Sequence, residues 1–404
     1  MFLRSVLALS CSPPVWEAHS WLRLTRQQSK GVSDSSVKIV TIVGARPQFI
    51  KAAAVSRVLR QRHREILVHT GQHYDYEMSG IFFDGLELPS PDINLGVGSG
   101  SHAAQTGAML KGTEDVLVAE RPDFLLIYGD TNSTLAGALA ASKLSVRVAH
   151  IEAGLRSFNR RMPEEINRVV ADHLSDLLLC PSSTAVQNLA MEGITRNVQL
   201  VGDVMLDILN WAKQRLNEKP PRILDRLGLT KQGYLLVTLH RSENTDDVAR
   251  LSQILSGLNS TSEPIVFPAH PRTRKAMAES GTRCRVGDHV RLIDPVGYLE
   301  MVALASSARM ILTDSGGLQK EAYWLGVPCL TMRDETEWVE TVNAGWNMLV
   351  GCDSDRIVEA VRTFAPNGSR RALYGDGSAA SKCVDLLGSS LALPDSGRAE
   401  CVGA

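Results

Sequence analysis

Asp130, Glu152, Glu164, Glu165 and Arg168 fall in three short stretches, GDTNS (129–133), HIEAGLRS (150–157) and MPEEINR (162–168). The first two follow apolar runs, FLLIY and VRVAH, that read as buried parallel strands. Polar groups at the carboxyl ends of such strands sit where open α/β sheets take their ligands. Carboxylates crowded at one crevice repel one another, so at least one can keep a proton near neutral pH. That suits an enzyme that takes a proton from carbon and returns one.

Five further segments carry chemistry. GARPQFIK (44–51) is a strand-to-helix turn, and Arg46 and Lys51 beside the N–H groups of a helix start make an anion site. It is neither a Walker A loop nor GxGxxG. Surface charge is the plainer reading of the two cations, and the sharp turn favours a phosphate or carboxylate contact. TDSGGLQKEA (313–322) is the corresponding turn further on. Ser315 could simply cap the helix. A cap has no need of the paired Gly316 and Gly317, which let a diphosphate approach the backbone, and Glu321 one turn in could reach a ribose hydroxyl pair. TLHRSEN (238–244) sets His240 and Arg241 at a strand end beside Glu243, to contact a diphosphate or shuttle a proton; HPRTR (270–274) is a weaker second turn of this kind. In VHTGQHYD (68–75), Gln72 and His73 read as loop residues almost as readily as ligands. No D-x-D spacing joins these groups, and no metal is expected.

The elements that must position these residues alternate. KIVTIVG, EILVHTG, FLLIYGD, VRVAHIE, LLLCPS and QLVG read as strands, with helices between them that include ARPQFIKAAAVSRVLRQR, residues 103–120, NSTLAGALAASKL, PEEINRVVADHLS and TAVQNLAMEG. YEMSGIFFDGLEL is also read as helical. A second alternation starts at YLLVTLH and runs through PIVFPAH, VRLIDPV, MILTDSG, PCLTM and NMLVG to the helix DSDRIVEAVRTF. Strand–helix repeats of this length imply doubly wound parallel sheets. The reading is α/β, two Rossmann-like domains facing a cleft, the GT-B architecture. Their expected bounds are 38–205 and 206–365, with an extension at 1–37 and a C-terminal helix and tail at 366–404.

The chain has 404 residues, 44% hydrophobic and 22% charged, with a net charge of −1. No global field draws nucleic acid or a membrane surface, so an anionic ligand must be held by local cations. No apolar run approaches the ~18 residues that span a bilayer. Seven scattered cysteines contain no CxxC pair and read as reduced thiols. Residues 1–37 are rich in Arg and Ser and poor in acids, which reads as a transit peptide, or else as a disordered extension or a misplaced start codon. The expected location is cytoplasmic, or an organelle if that segment directs it.

Taken in order, VGARPQFIK, HTGQHYD, YGDTNSTLAGALAA, HIEAGLRS, MPEEINR, LHRSENTDD, HPRT and LTDSGGLQKEA resemble the non-hydrolysing UDP-N-acetylglucosamine 2-epimerases over roughly residues 38–365. The resemblance implies interconversion of UDP-GlcNAc and UDP-ManNAc without NAD or another cofactor. It implies anti elimination of UDP, a 2-acetamidoglucal held with UDP, and re-addition with the proton delivered to the other face of C2. By motif, Asp130, Glu152 and Glu164 become the acid–base candidates, and Arg168 and His240 lie against sugar and diphosphate. Arg46 and Lys51, with Ser315, Gly316 and Gly317, become the phosphate holders and Glu321 the ribose contact. A homodimer serving cell-surface polysaccharide synthesis is implied as well. Two departures stand out. Trp338 occupies a place where many members carry Arg, which puts a phosphate contact there in question. Ala104 precedes Gln105–Thr106 where regulated bacterial members carry Arg, so weak or absent activation by UDP-GlcNAc is expected. The same changes resemble a branch acting on sugars such as UDP-2,3-diacetamido-2,3-dideoxy-glucuronate, whose carboxylate would need a further cation, Arg156 or Arg160. A GT-B glycosyltransferase is the alternative of another class; only an epimerase labels C2 from heavy water without an acceptor.

Overall fold

The computed structural model describes residues 36–72, 85–367 and 369–390. His73, most of the Phe- and Met-rich segment after it, and nearly all of the N-terminal extension lie outside that range. The first sheet holds β1 (Lys38–Val43), β2 (Arg64–His69), β3 (Ile93–Asn94), β4 (Phe124–Tyr128), β5 (Arg147–Ile151), β6 (Leu177–Cys180) and β7 (Val198–Leu200), in the order β3-β2-β1-β4-β5-β6-β7. The second holds β8 (Leu235–Thr238), β9 (Ile265–Pro268), β10 (Val290–Ile293), β11 (Met310–Thr313), β12 (Cys329–Thr331) and β13 (Asn347–Leu349), in the order β10-β9-β8-β11-β12-β13. The pairings are parallel throughout both sheets. These are two Rossmann-like α/β domains in a GT-B-like arrangement.

The central strands form where the apolar runs are unbroken. β4 is buried at every residue, as is β11. The one polar residue inside β1, Thr41, is satisfied by donating to the buried Glu65 carboxylate at 2.7 Å. Helices begin where a side chain can take an orphan N–H. Thr131 accepts from Thr134 ahead of the helix Asn132–Lys143, and Asp203 accepts from Met205 at 2.8 Å ahead of Val204–Glu218. Pro47 and Pro163 sit in first turns, where their missing N–H is not needed.

A continuous apolar cluster runs from Val37 and Phe49 through Met205, Ile208 and Leu209 to Tyr298, Trp324 and Trp338. It joins the two sheets' layers beside the helix Val204–Glu218. The terminal helix Ala379–Ser389 returns to the first domain. Arg62 pairs with Asp385, and Asp207 accepts the N–H groups of Ala379 and Ala380 at 3.2 and 2.9 Å. Neither this return nor the short β3 is anticipated from the sequence. No helix among the described residues is long and apolar enough to cross a membrane.

Candidate active site

Strand order reverses between β1 and β4 in the first sheet and between β8 and β11 in the second. Open α/β sheets bind ligands beyond the strand ends at such points. GARPQFIK leaves β1, GDTNS leaves β4, TLHRSEN spans the end of β8 and TDSGG leaves β11. Glu152 is the first residue past β5.

The first crevice is laced by side chains buried under it. Gln48 accepts from Gly44 N at 2.8 Å and Ala45 N at 3.2 Å, and donates to Tyr128 O at 3.0 Å, tying the β1 turn to the end of β4. His150 is fully buried between Asp172 and the Gly129 carbonyl, 2.8 Å from each. Gly129 has φ +61, and a Cβ there would sit 3.0 Å from both Glu152 Oε2 and Lys51 Nζ. That glycine is required both by its backbone and by the ion pair beside it.

Glu152 itself has φ +72. A residue with a side chain pays about 1–2 kcal/mol for that left-handed backbone. Its carboxylate forms an ion pair with Lys51 and lies 3.3 Å from Lys320 Nζ, which comes from the second domain. Burial alone would raise its pKa, but the two ammonium groups outweigh burial and hold it below the usual carboxylate range. Asp130 is paired with Arg168, whose Nη1 also donates to Glu165 Oε2 at 2.9 Å. Asn167 Nδ2 fixes the Asp130 carbonyl at 2.9 Å. The adjacent glutamates of MPEEINR differ sharply. Glu165 accepts the N–H groups of Ser157 and Phe158, both at 2.9 Å, and so holds a loop. Glu164 is half-buried and, among the described residues, makes no hydrogen bond or ion pair.

The second crevice rests on Asp314. Fully buried, it accepts the N–H groups of His240 and Arg241 at 3.0 and 2.9 Å and lies 3.0 Å from His240 Nδ1. Burial pushes its pKa up, but His240 and the backbone donors prevail and lower it. The His240 side chain, 41% exposed, is thereby aimed outward from a fixed base. Ser315 stands at the N-cap of the helix Gly316–Leu325, yet its side chain makes no capping bond, so the first N–H groups of that helix are not taken by its hydroxyl. A Cβ at Gly316 would sit 2.9 Å from Trp338 Nε1. Glu321 is buried and accepts from Tyr298 Oη at 2.8 Å. Burial pushes its carboxyl up to about 7, against the pull of Tyr298, Arg46 and Lys320. Arg46, from the first domain, thus faces Glu321 of the second.

Glu337 draws the two halves together. Arg333 binds it at 2.9 and 3.2 Å, Arg168 of the first domain lies 3.7 Å away and Arg241 4.0 Å away. Asn159 of the first domain donates to Glu335 at 2.8 Å.

Two expectations change. Arg156 is not open to a sugar carboxylate: Asp172 and Glu192 take its guanidinium at 2.6–2.7 Å in a buried network. Lys51 does not stand free at the turn but is buried against Glu152. Sequence reasoning also passed over Asp314 and Lys320, though both lie inside TDSGGLQKEA. Their partners are remote in sequence, and spacing gives no signal for a pair such as Lys320–Glu152, 168 residues apart.

A family model described as UDP-N-acetylglucosamine 2-epimerase matches residues 57–388. The chain belongs to the UDP-N-acetylglucosamine 2-epimerase family. It is an enzyme of that epimerase family, with polar clusters at both switch points. A UDP-N-acetylglucosamine 2-epimerase homolog of Methanococcus maripaludis is 53% identical over 87% of this chain and 99% of its own length. The UDP-2,3-diacetamido-2,3-dideoxy-D-glucuronate 2-epimerase of Pseudomonas aeruginosa is 51% identical over 87% and 99%. The crystal structure of Methanocaldococcus jannaschii UDP-GlcNAc 2-epimerase with UDP-GlcNAc and UDP is similar with a TM-score of 0.82 at 42% identity, over 87% of this chain and 99% of that one.

Proposed function

We propose that this family member interconverts UDP-GlcNAc and UDP-ManNAc by eliminating UDP and adding it back to a 2-acetamidoglucal. The observation that carries this reading is Glu152: an ionised, buried carboxylate at a strand end, tied through Lys320 to the helix Gly316–Leu325. A weakly acidic C2–H needs a positioned base and a leaving group whose charge is stabilised. Glu152 serves as the base, with Asp130 and Glu164 as the remaining acid–base groups. The open helix start at Ser315–Gly316–Gly317 and the Arg46 guanidinium receive the departing diphosphate. Glu321 takes the ribose, and His240, aimed by Asp314, meets the diphosphate. The sugar lies against Arg168. Incubation with UDP-GlcNAc in D₂O, followed by NMR, tests it. Deuterium at C2 with appearance of the manno epimer is expected; recovery of unlabelled substrate refutes it.

A second substrate is favoured by one comparison, the 51% identity to the diacetamido-glucuronate enzyme. With Arg156 committed elsewhere, Arg160 is the cation left for a sugar carboxylate; it is exposed and makes no ion pair among the described residues. The same NMR experiment with the uronate separates the two readings.

A further inference from the structure

We propose that Lys320 is a positioning residue: it holds the Glu152 carboxylate in place and in its ionised form from the nucleotide side of the cleft. The inference rests on the reading of Glu152 as the base.

Lys320 lies one turn into the helix Gly316–Leu325, with its side chain 1% exposed. An ammonium so buried must find partners for all three N–H groups. One goes to Asp203 in an ion pair and one to Glu152 Oε1 at 3.3 Å. The third faces the indole of Trp338, with Nζ 3.6 Å from the ring centroid. A lysine needed only to neutralise Asp203 would have no reason to reach Glu152 as well. The ring is itself fixed. Tyr374 meets it edge-on at 5.5 Å, and Trp338 N donates to Thr336 Oγ1 at 3.1 Å. Its Nε1 fills the space that a side chain at Gly316 would occupy. One indole therefore touches both the first turn of the helix and the lysine.

The charged groups around Glu152 come from several elements. Lys51 of the helix Arg46–Arg62 and Lys320 face it directly. Asp203 stands behind Lys320 and competes for it, and Glu321 is the next residue along, with Tyr298 and Arg46 around its carboxyl. Asp130 is occupied by Arg168. Removing Lys320 leaves Glu152 with one cation to offset its shielding from water, and its proton affinity must rise.

The test uses full-length protein. Lys320→Met is expected to lower kcat by roughly 10- to 100-fold and to move the acidic limb of kcat/KM up by at least about one pH unit. The Kd for UDP, by calorimetry, stays within about twofold, and Lys320→Arg restores the wild-type limb. Because Lys320→Met strands two buried carboxylates and can unfold the protein, the double variant Lys320→Met/Asp203→Asn restores charge balance and keeps an N-cap side chain. If Lys320 acts through Glu152, the double variant stays slow with its limb raised. Full activity in the double variant, or a limb that does not move, overturns the proposal and leaves Lys320 as the counter-ion of Asp203. Loss of turnover in Glu152→Gln alongside an unmoved limb in the Lys320 variants refutes this inference alone; normal turnover in Glu152→Gln refutes the functional reading beneath it.

Discussion

Glu152 and Glu321 are both buried glutamates that feel Lys320, yet they are driven in opposite directions. Two ammonium groups against one carboxylate keep Glu152 charged. Glu321 has a hydroxyl at hydrogen-bond distance and cations only further off, so burial prevails and its carboxyl titrates at about 7. Both carboxylates are largely shielded from water; the neighbours decide the protonation state. Under the proposed function, the first crevice supplies the base for a carbon acid. The second offers backbone donors, an oriented imidazole and a carboxyl that is largely neutral below pH 7, a less repulsive setting for a diphosphate.

The contrast can be broken at its first member. Glu152→Gln keeps shape and removes charge, and kcat is expected to fall by ~10²–10⁴, the usual worth of a positioned acid or base. UDP binding should persist, as measured by calorimetry; loss of UDP binding together with turnover would make Glu152 a structural support of the second crevice instead. Glu321→Gln sharpens the other side. The folded Glu321 keeps its proton to about 7 while the unfolded one loses it near 4.5. The native state therefore binds more protons in that window, and stability falls as pH rises through it, by on the order of 3 kcal/mol. Glu152 acts in reverse: its contribution is lost as pH falls below the normal carboxylate range. Urea unfolding at pH 4.5 and 7 should show Glu321→Gln flattening the decline by about that amount; an unchanged slope would assign the pH dependence elsewhere. The smallest effect is at the shared turn. Gly316→Ala must displace Trp338, and kcat/KM should drop roughly tenfold. At Gly317 the nearest atom to an added Cβ is Met205 Cε at 3.7 Å, so Gly317→Ala fits without moving protein and should change kcat/KM by less than about threefold. Equal effects from the two would show that a ligand, and not the indole, crowds this turn.

Much of the architecture was legible because buried parallel strands are continuous apolar runs and the chemistry clusters just past them. FLLIY before GDTNS and MILT before DSGG mark two strands with polar groups at their carboxyl ends, while the strand order that makes these places switch points comes from the fold. The return of Ala379–Ser389 to the first domain was not legible, since an amphipathic helix carries no record of which apolar surface it covers. At the site, residue types were readable and partners were not. Glu164 and Glu165 are neighbours of the same type on one helical turn, and only the fold shows that Glu165 is consumed by the loop at Ser157–Phe158 while Glu164 is left without a partner among the described residues. Arg156 looked available for the same reason; Asp172 and Glu192, which occupy it, are reached only through folding.

The left-handed backbone at Glu152 is held in place by the charges around it. Glycine would relax that residue, but it would leave Lys51 and Lys320 buried without their shared counter-ion, so the melting temperature falls together with turnover. Strain relief and charge balance therefore pull in opposite directions here, and libraries built on this scaffold should hold position 152 constant.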